Sequence, residues 1–323
     1  MRSKLLPTVL VAVLAFASTG FAGDLDDVNK AEFTKPSAKN SRAVNLKAQV
    51  LLDRLSFSSG TIDGRRGENF VNALRAFQQQ NGLNTSGELD AATWKKLTES
   101  PEPALIEYTI SAADTKGPFT EKIPESYEKK AELKRLDYTG PLELIAERFH
   151  MDEDLLRQLN RSKSFDQAGT VITVANVNVK PAALRAKAAK LEVDKTRGSV
   201  RALAADGKLL AFYPASIGSD DKPAPSGTLK VVRVARGPSY TYNPEFKFRG
   251  VKADRELKIA AGPNNPVGSV WIALNQKSYG IHGTAEPAKV GKVDSHGCVR
   301  MTNWDALALA LLVRKGTVVE FIE

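Results

Sequence analysis

The sequence predicts a multidomain α+β protein: a small three-helix bundle, a strand–helix–helix–strand unit, and a larger, mainly-β domain with one helix. Three observations predict it. Between Leu46 and Leu97 apolar residues recur at helical spacing. From Leu105 to Val174 two strand-like runs bracket two short helical periods. From Leu191 onward, short apolar runs alternate with Gly, Pro and Asp turns, as in a sandwich or barrel-like domain. The length of 323 residues suits two to three domains, and an apolar content of 42% suffices for their cores.

Residues 1–22 read as a signal peptide. Arg2 and Lys4 form a positive n-region, Leu5–Phe16 is apolar apart from Pro7 and Thr8, and Gly20-Phe21-Ala22 offers a small-residue cleavage site. The run is shorter than the ~20 residues a membrane span needs, no later stretch is long and apolar enough, and no cysteine lies near the cleavage site to carry a lipid. The expectation is an exported protein of the periplasm or cell wall with no membrane span. Residues 23–43 are polar and aperiodic, a flexible leader.

The bundle occupies 44–99. Leu46, Val50, Leu51 and Leu55 mark one helix, and Phe70, Ala73, Leu74 and Phe77 a second. Asp90 is the N-cap of a third, which runs to Leu97. Phe77, Leu74 and Trp94 read as core. Residues 98–104 form a Pro- and Glu-containing linker with nothing to bury. In 105–177, Leu105–Ile110 and Val171–Val174 are strands. Leu142–Phe149 and Met151–Asn160 are helices, the second capped by Asp152, and a polar insertion near 116–137 separates strand from helix. His150 reads as structural or surface. The stretch Pro181–Lys190 is a connector with one or two helical turns. In 189–322, Lys190–Val193, Ser199–Leu203 and Leu209–Pro214 are strands, the last two joined through an Asp206-Gly207 turn. Ala215–Gly218, Pro225–Leu229, Lys230–Val234 and Gly316–Phe321 add further strand texture, and Thr302–Leu312 is the one helix.

The formal charge of +9 implies attraction to polyanions: nucleic acid, anionic lipid or cell-wall polymer. The basic residues are scattered rather than gathered in a stripe, which counts against nucleic acid. Metal is set aside, because a structural zinc site wants four Cys or His ligands and the chain has only Cys298, His282, His296 and, far from them in sequence, His150. No cofactor is expected.

That cysteine, Cys298, carries the chemistry. Export makes an unpaired cysteine a reactive or intermolecular one. His282 and His296 lie within sixteen positions of it, and glycines on either side let the backbone bend and present N–H groups to a reacting oxygen. A thiol whose pKa falls below the free value of about 8.5 beside a base or cation is a nucleophile; the residues favour acyl transfer, and a small buried cysteine is the alternative.

The arrangement His282…Ser295-His296-Gly297-Cys298-Val299-Arg300 resembles the L,D-transpeptidase (YkuD-type) family, whose signature is a histidine followed after a spacer by Ser/Thr-His-Gly-Cys, an apolar residue and Asn or Arg. The similarity extends over about 190–322, through Gly218…Pro225-Ser226-Gly227-Thr228 and Gly262–Gly268, then Trp271 and Tyr279–Thr284. The resemblance implies Cys298 as nucleophile, His282 as the base, the Gly283 carbonyl orienting that imidazole, and an oxyanion hole from the Gly297 and Cys298 N–H groups. It gives Tyr279, Ser295, His296 and Arg300 to substrate binding, with structural work equally open for His296. Arg300 is expected to favour thiolate; Tyr279 and Trp271 are candidates to wall the cleft, with sheet core the favoured reading for Trp271.

Two further resemblances lie upstream. Ile62-Asp63-Gly64, Ala76-Phe77-Gln78, Asn81-Gly82-Leu83 and Ser86–Asp90 resemble the three-helix peptidoglycan-binding domain, although Phe57-Ser58-Ser59-Gly60 departs from its usual Gly-Tyr motif. Residues 105–177 resemble a LysM glycan-binding module carrying an insertion; a spacer domain is the alternative. Together these imply a monomer acting on peptidoglycan, with stem tetrapeptides and glycan as partners. The implied reaction is cross-linking, or attachment of an acceptor protein's amine, through a cysteine acyl-enzyme. An L,D-carboxypeptidase or link-cleaving hydrolase using the same thiol stays open, as does a non-catalytic wall-binding protein.

Overall fold

The computed structural model describes residues 25–33, 41–177, 186–219, 222–246, 251–295 and 297–323. The proposed signal peptide and most of the connector before β3 lie outside these residues.

The leader is not free of structure. Helix α1 (Leu25–Asn29) buries Val28 completely, and the Asn29 side chain hydrogen-bonds both the N–H and the carbonyl of Leu105. Two apolar residues, Leu25 and Val28, are too short a signal for periodicity to reveal, so the sequence showed only polarity. Helices α2 (Ser41–Arg54), α3 (Glu68–Gln80) and α4 (Ala91–Leu97) follow. Asp90 caps α4, its carboxylate accepting from Thr93 N–H at 2.7 Å. Phe77, Leu74 and Trp94 are buried. Gln78 stitches the turn before α4 by accepting from Gly87 N–H and donating to the Glu88 carbonyl and the Thr93 hydroxyl.

In the middle domain, β1 (Leu105–Thr109) pairs antiparallel with β2 (Val171–Ala175). Between them lie α5 (Ala112–Lys116), α6 (Tyr127–Ala131), α7 (Pro141–Arg148) and α8 (Glu153–Leu159). The expected insertion near 116–137 thus contains α6, and α5 ends where it begins. Asn160 ends α8 and ties it to β2, donating to the Leu156 and Thr173 carbonyls and accepting from Thr173 N–H.

The C-terminal domain contains β3 (Lys190–Asp194), β4 (Ser199–Leu203), β5 (Leu209–Pro214), β6 (Ser216–Ile217) and β7 (Gly227–Arg236). It continues with β8 (Tyr240–Tyr242), β9 (Leu257–Ile259), β10 (Val270–Leu274), β11 (Gly280–His282), β12 (Val299–Arg300), α9 (Asn303–Leu312) and β13 (Val318–Ile322). The nine-stranded sheet runs β5-β4-β3-β13-β7-β10-β11-β12-β6, and β8–β9 form a separate hairpin. The two runs expected at Pro225–Leu229 and Lys230–Val234 merge into the single strand β7. Residues 186–189 are not helical, and residues 181–185 of the connector lie outside the described residues.

The domains share cores. Leu46, Val50 and Ile62 of the helical domain pack with Ile145, Phe149 and Leu155 of the middle domain. The opposite face of α2, through Ala48, Leu51 and Leu52, packs with Phe70 and Phe77, and with Leu203, Leu209 and Phe212 of the C-terminal sheet. The segment after α2 covers the sheet's edge: Phe57 bridges Phe212, with Ser58 N–H donating to Phe212 O and Phe212 N–H to Ser56 O. Ile62 makes the same kind of backbone bridge with Met151. A polar junction closes the seam. Asp53 meets His150 Nδ1 at 3.0 Å, His150 stacks on Trp304, and Ser58 donates to Asp305. Burial lowers the His150 pKa, but the Asp53 charge and hydrogen bond outweigh it, so the net shift is upward. The linker expected to bury nothing is also tied down: Ala104 is buried, and Arg54 donates to the Glu102 and Pro103 carbonyls and to Ser100.

Because Phe212 fills a core belonging to two domains, Phe212→Ala is expected to cost about 3–5 kcal/mol, the usual range for a buried Phe. Denaturant unfolding should show one cooperative transition in the parent protein and a lower midpoint in the variant. Separate unfolding of the helical and C-terminal domains in the parent would contradict the shared core.

Candidate active site

The site grows from the register of three strands. Trp271 on β10 pairs with His282 on β11, and β11 runs parallel to β12 with Ile281 opposite Val299 and His282 opposite Arg300. Side chains alternate across a sheet. Ile272, Ile281 and Val299 therefore enter the core, all essentially inaccessible. Trp271, His282, Arg300 and, two residues before it, Cys298 emerge on the other face and line one cavity of about 630 Å³. Tyr279 lines it too. Among its described lining residues Lys222, Arg233, Lys277 and Arg300 face a single acid, Glu256, so the cavity is cationic.

His282 is buried and stacks on Trp271, ring centroids 5.6 Å apart at 20°. Its Nδ1 lies 2.6 Å from the Gly283 carbonyl oxygen. A carbonyl only accepts, so Nδ1 carries the proton, and Nε2 of the neutral ring keeps a free lone pair. Gly283 has to be glycine for a packing reason: a Cβ there would sit 2.2 Å from Asn303 Oδ1. Asn303 opens α9, accepts from Ser269 N–H, and donates to both carboxylate oxygens of Glu147 in the middle domain, at 2.9 and 3.1 Å. Burial pushes the Glu147 carboxyl up to about 8.

Cys298 is half-buried, with Sγ 3.6 Å from the Ser278 carbonyl. The expectation of an acidified thiol is reversed in this resting arrangement. Burial pushes the thiol up to about 11, against the opposing effects of the Gly280 N–H and the Arg300 charge. Arg300 does favour thiolate as expected, but desolvation outweighs it. Burial also lowers His282 to about 4; the Gly283 carbonyl works against that shift and the Arg300 charge adds to it. The resting pair is thus neutral thiol and neutral imidazole.

Two expectations need correction. Ser295 was read as substrate-binding, yet it is buried. Its hydroxyl accepts from Gly218 N–H at 2.7 Å and donates to the Cys298 carbonyl, so it fixes the cysteine turn instead of facing the cavity. Of the two readings of Trp271, the favoured one, sheet core, gives way to the other: it is a cavity wall. Gly297 is buried with φ +99°, a conformation that suits glycine, and a Cβ there would meet Tyr279 Cε1 at 3.2 Å. His296 lies outside the described residues. The sequence reading missed Arg233, Lys222 and Lys277, ordinary surface cations by pattern. It also missed Tyr240, although Tyr240-Thr241-Tyr242 was a visible aromatic alternation. Tyr127, from α6 of the middle domain, lines the same cavity and carried no signal at all.

Among the described residues no group of three or more His, Cys, Asp or Glu could hold a metal ion, and no helix is long and apolar enough to cross a membrane.

Residues 188–321 match the family described as YkuD, L,D-transpeptidase catalytic domain, and residues 46–97 match the one described as "Putative peptidoglycan binding domain". The chain therefore carries a YkuD-type catalytic domain and a domain of the peptidoglycan-binding kind. Among curated proteins it is similar to "Putative L,D-transpeptidase YkuD" of Bacillus subtilis, 38% identical over 89 residues, 28% of this chain and 51% of that protein. It is similar to "Putative L,D-transpeptidase YqjB" of the same organism, 33% over 118 residues, 35% and 59% of the two chains. "Probable L,D-transpeptidase YbiS" of Escherichia coli is 35% identical over 113 residues, 34% of this chain and 37% of that one. The chain thus spans about half the length of the first curated relatives it matches.

A thiol held up to about 11 stays protonated through neutral pH. Alkylation of Cys298 by iodoacetamide should therefore rise about tenfold per pH unit from 7 to 10, because the thiolate reacts and its fraction grows in that proportion. Arg300→Ala should lower the rate throughout, by removing a charge that favours thiolate. A plateau below pH 8 would contradict this electrostatic picture.

Proposed function

We propose that the protein is a peptidoglycan L,D-transpeptidase working through a cysteine acyl-enzyme, exported to the periplasm or cell wall by residues 1–22. The observation that carries the reading is the His282 Nδ1 to Gly283 carbonyl contact at 2.6 Å, which leaves Nε2 as a base in the same cavity as Cys298.

In the first step, His282 Nε2 takes the Sγ proton as sulfur attacks the carbonyl carbon between the third residue of a stem tetrapeptide and its terminal D-Ala. The carbonyl electron pair moves to oxygen, where the Gly297 and Cys298 N–H groups receive it. Collapse breaks the C–N bond. The imidazolium returns its proton to the leaving nitrogen, D-Ala departs and a thioester remains. In the second step an amine of another stem attacks the thioester, His282 accepts its proton, and as the C–S bond breaks the imidazolium gives that proton to sulfur, regenerating the thiol. Proton transfer between a neutral pair in a desolvated site avoids holding a buried ion pair at rest, so charge develops only as the substrate reacts. The cationic cavity suits the carboxylates of stem peptides. Of the residues expected to touch substrate, Tyr279 and Arg300 keep that role here. The helical domain, and a glycan-binding role for residues 105–177, would hold the enzyme on the wall.

Purified tetrapeptide stem, supplied with and without a second amine-bearing stem and followed by mass spectrometry, tests the reading. The parent protein should release D-Ala and form the cross-linked product. Cys298→Ala and His282→Ala should each lower the rate by at least about a thousandfold. Undiminished turnover in Cys298→Ala would require another nucleophile. Hydrolysed tripeptide as the sole product, even with amine in excess, would assign the site to a carboxypeptidase instead.

A further inference from the structure

The insertion of the middle domain is built against the active-site cavity and not into solvent. Its first end is fixed by Asp114, a buried carboxylate that accepts from the Ser111 N–H and the Tyr108 hydroxyl and pairs with Arg148 at 2.6 Å. Its far end is fixed on the C-terminal domain. Leu136 is fully buried, its N–H donates to the Ala261 carbonyl, and its carbonyl accepts from Asn264 N–H. Asn264 Nδ2 then donates to the Asp137 carbonyl and to Glu143. Between these anchors α6 crosses onto the β8–β9 hairpin. Its Tyr127 ring meets Tyr240 edge-on at 6.0 Å and Tyr242 at 5.6 Å, and Lys130 lies over the Tyr127 ring at 5.6 Å. Tyr127 and Tyr240 share the cavity with Cys298 and Arg300. Burial raises the Tyr127 phenol and the Arg300 charge pulls it back, so the two groups feel one another across the cavity.

We infer that Tyr127, supplied by the middle domain, is a specificity-determining residue of the acyl-transfer site: its ring completes an aromatic wall that favours capture of the thioester by a peptide amine over capture by water. The inference rests on the acyl-transfer reading above and says which acceptor that site takes. Both acceptors break the same C–S bond, and both give a proton to His282. An amine nitrogen yields an amide and water yields a carboxylic acid. What separates them is access. A wall of tyrosine rings lowers the local water density and offers flat apolar surface to the methylene stem of a diamino acid. An extended stem peptide can lie along that wall while its carboxylate meets Arg300, Arg233 or Lys277. An exposed lysine on a folded protein lacks both the extended shape and the adjacent carboxylate, so stem peptides are the favoured amine.

The full chain, given a tetrapeptide donor and a stem acceptor, reads this out as the ratio of cross-linked to hydrolysed product. Tyr127→Ala should lower that ratio by about three- to tenfold, the scale expected for loss of one aromatic contact to the acceptor. The KM for the acceptor should rise while the rate of D-Ala release in its absence changes less. Tyr127→Phe should keep the parent ratio, because the wall uses the ring and not the hydroxyl. Thermal unfolding of each variant accompanies the assay. If Tyr127→Ala does not fold, Tyr127→Leu, which fills the space without the ring, should lie between alanine and phenylalanine. A parent-like ratio and acceptor KM in a folded Tyr127→Ala or Tyr127→Leu overturns the inference while leaving Cys298 chemistry standing. Transfer surviving in Cys298→Ala overturns both.

Discussion

The hydrogen bond from His282 Nδ1 to the carbonyl of its own neighbour, Gly283, is the constraint on which the site depends. It fixes the tautomer with no carboxylate partner. That matters in so dry a place: a buried acid beside the ring would raise the imidazole's pKa and trap it as a cation. The carbonyl can hold this position because residue 283 has no side chain and packs directly on Asn303. Asn303 is held in turn by Glu147, a residue of the middle domain. The orientation of the base is thus braced across a domain boundary.

That boundary is one of several that behave like a single interior. Helix α2 buries one face against the middle domain and the other against α3 and the C-terminal sheet. Asp53, His150, Trp304 and Asp305 come from three domains and meet in one seam, where burial together with the Asp53 charge lifts the Asp305 carboxyl to about 7. Modules on loose tethers would raise local concentration at a polymer. Fused modules would do something different: on the function proposed above, a wall strand held by one would be presented to the cavity at a set distance and angle. Tyr127 is the local expression of the same principle.

Much of this was legible in the sequence because it rests on local pattern. Asp90 and Asp152 cap their helices as side-chain chemistry dictates, the Asp206-Gly207 turn joins β4 to β5, and His282, Cys298, Tyr279 and Arg300 share a cavity. The parts that were not legible depend on what lies on the far side of an element. Val270–Leu274 alternates like any strand, and only the missing cover over one face makes Trp271 a cavity wall. Ser295 flanks the nucleophile in sequence, but its hydroxyl serves the backbone of Gly218 and Cys298. The direction of the thiol's pKa shift depends on burial, which Arg300 alone did not reveal. Residues 116–137 showed no motif, because the residues that Tyr127 and Leu136 meet on the C-terminal domain lie more than a hundred positions away.

The most direct measurement is peptide mapping of the enzyme trapped during turnover with a stem tetrapeptide. The account predicts an added mass equal to the stem lacking its terminal D-Ala, carried as a thioester on the fragment containing Cys298 and discharged by added amine. An adduct on any other residue, or turnover with Cys298 blocked by prior alkylation, would contradict it.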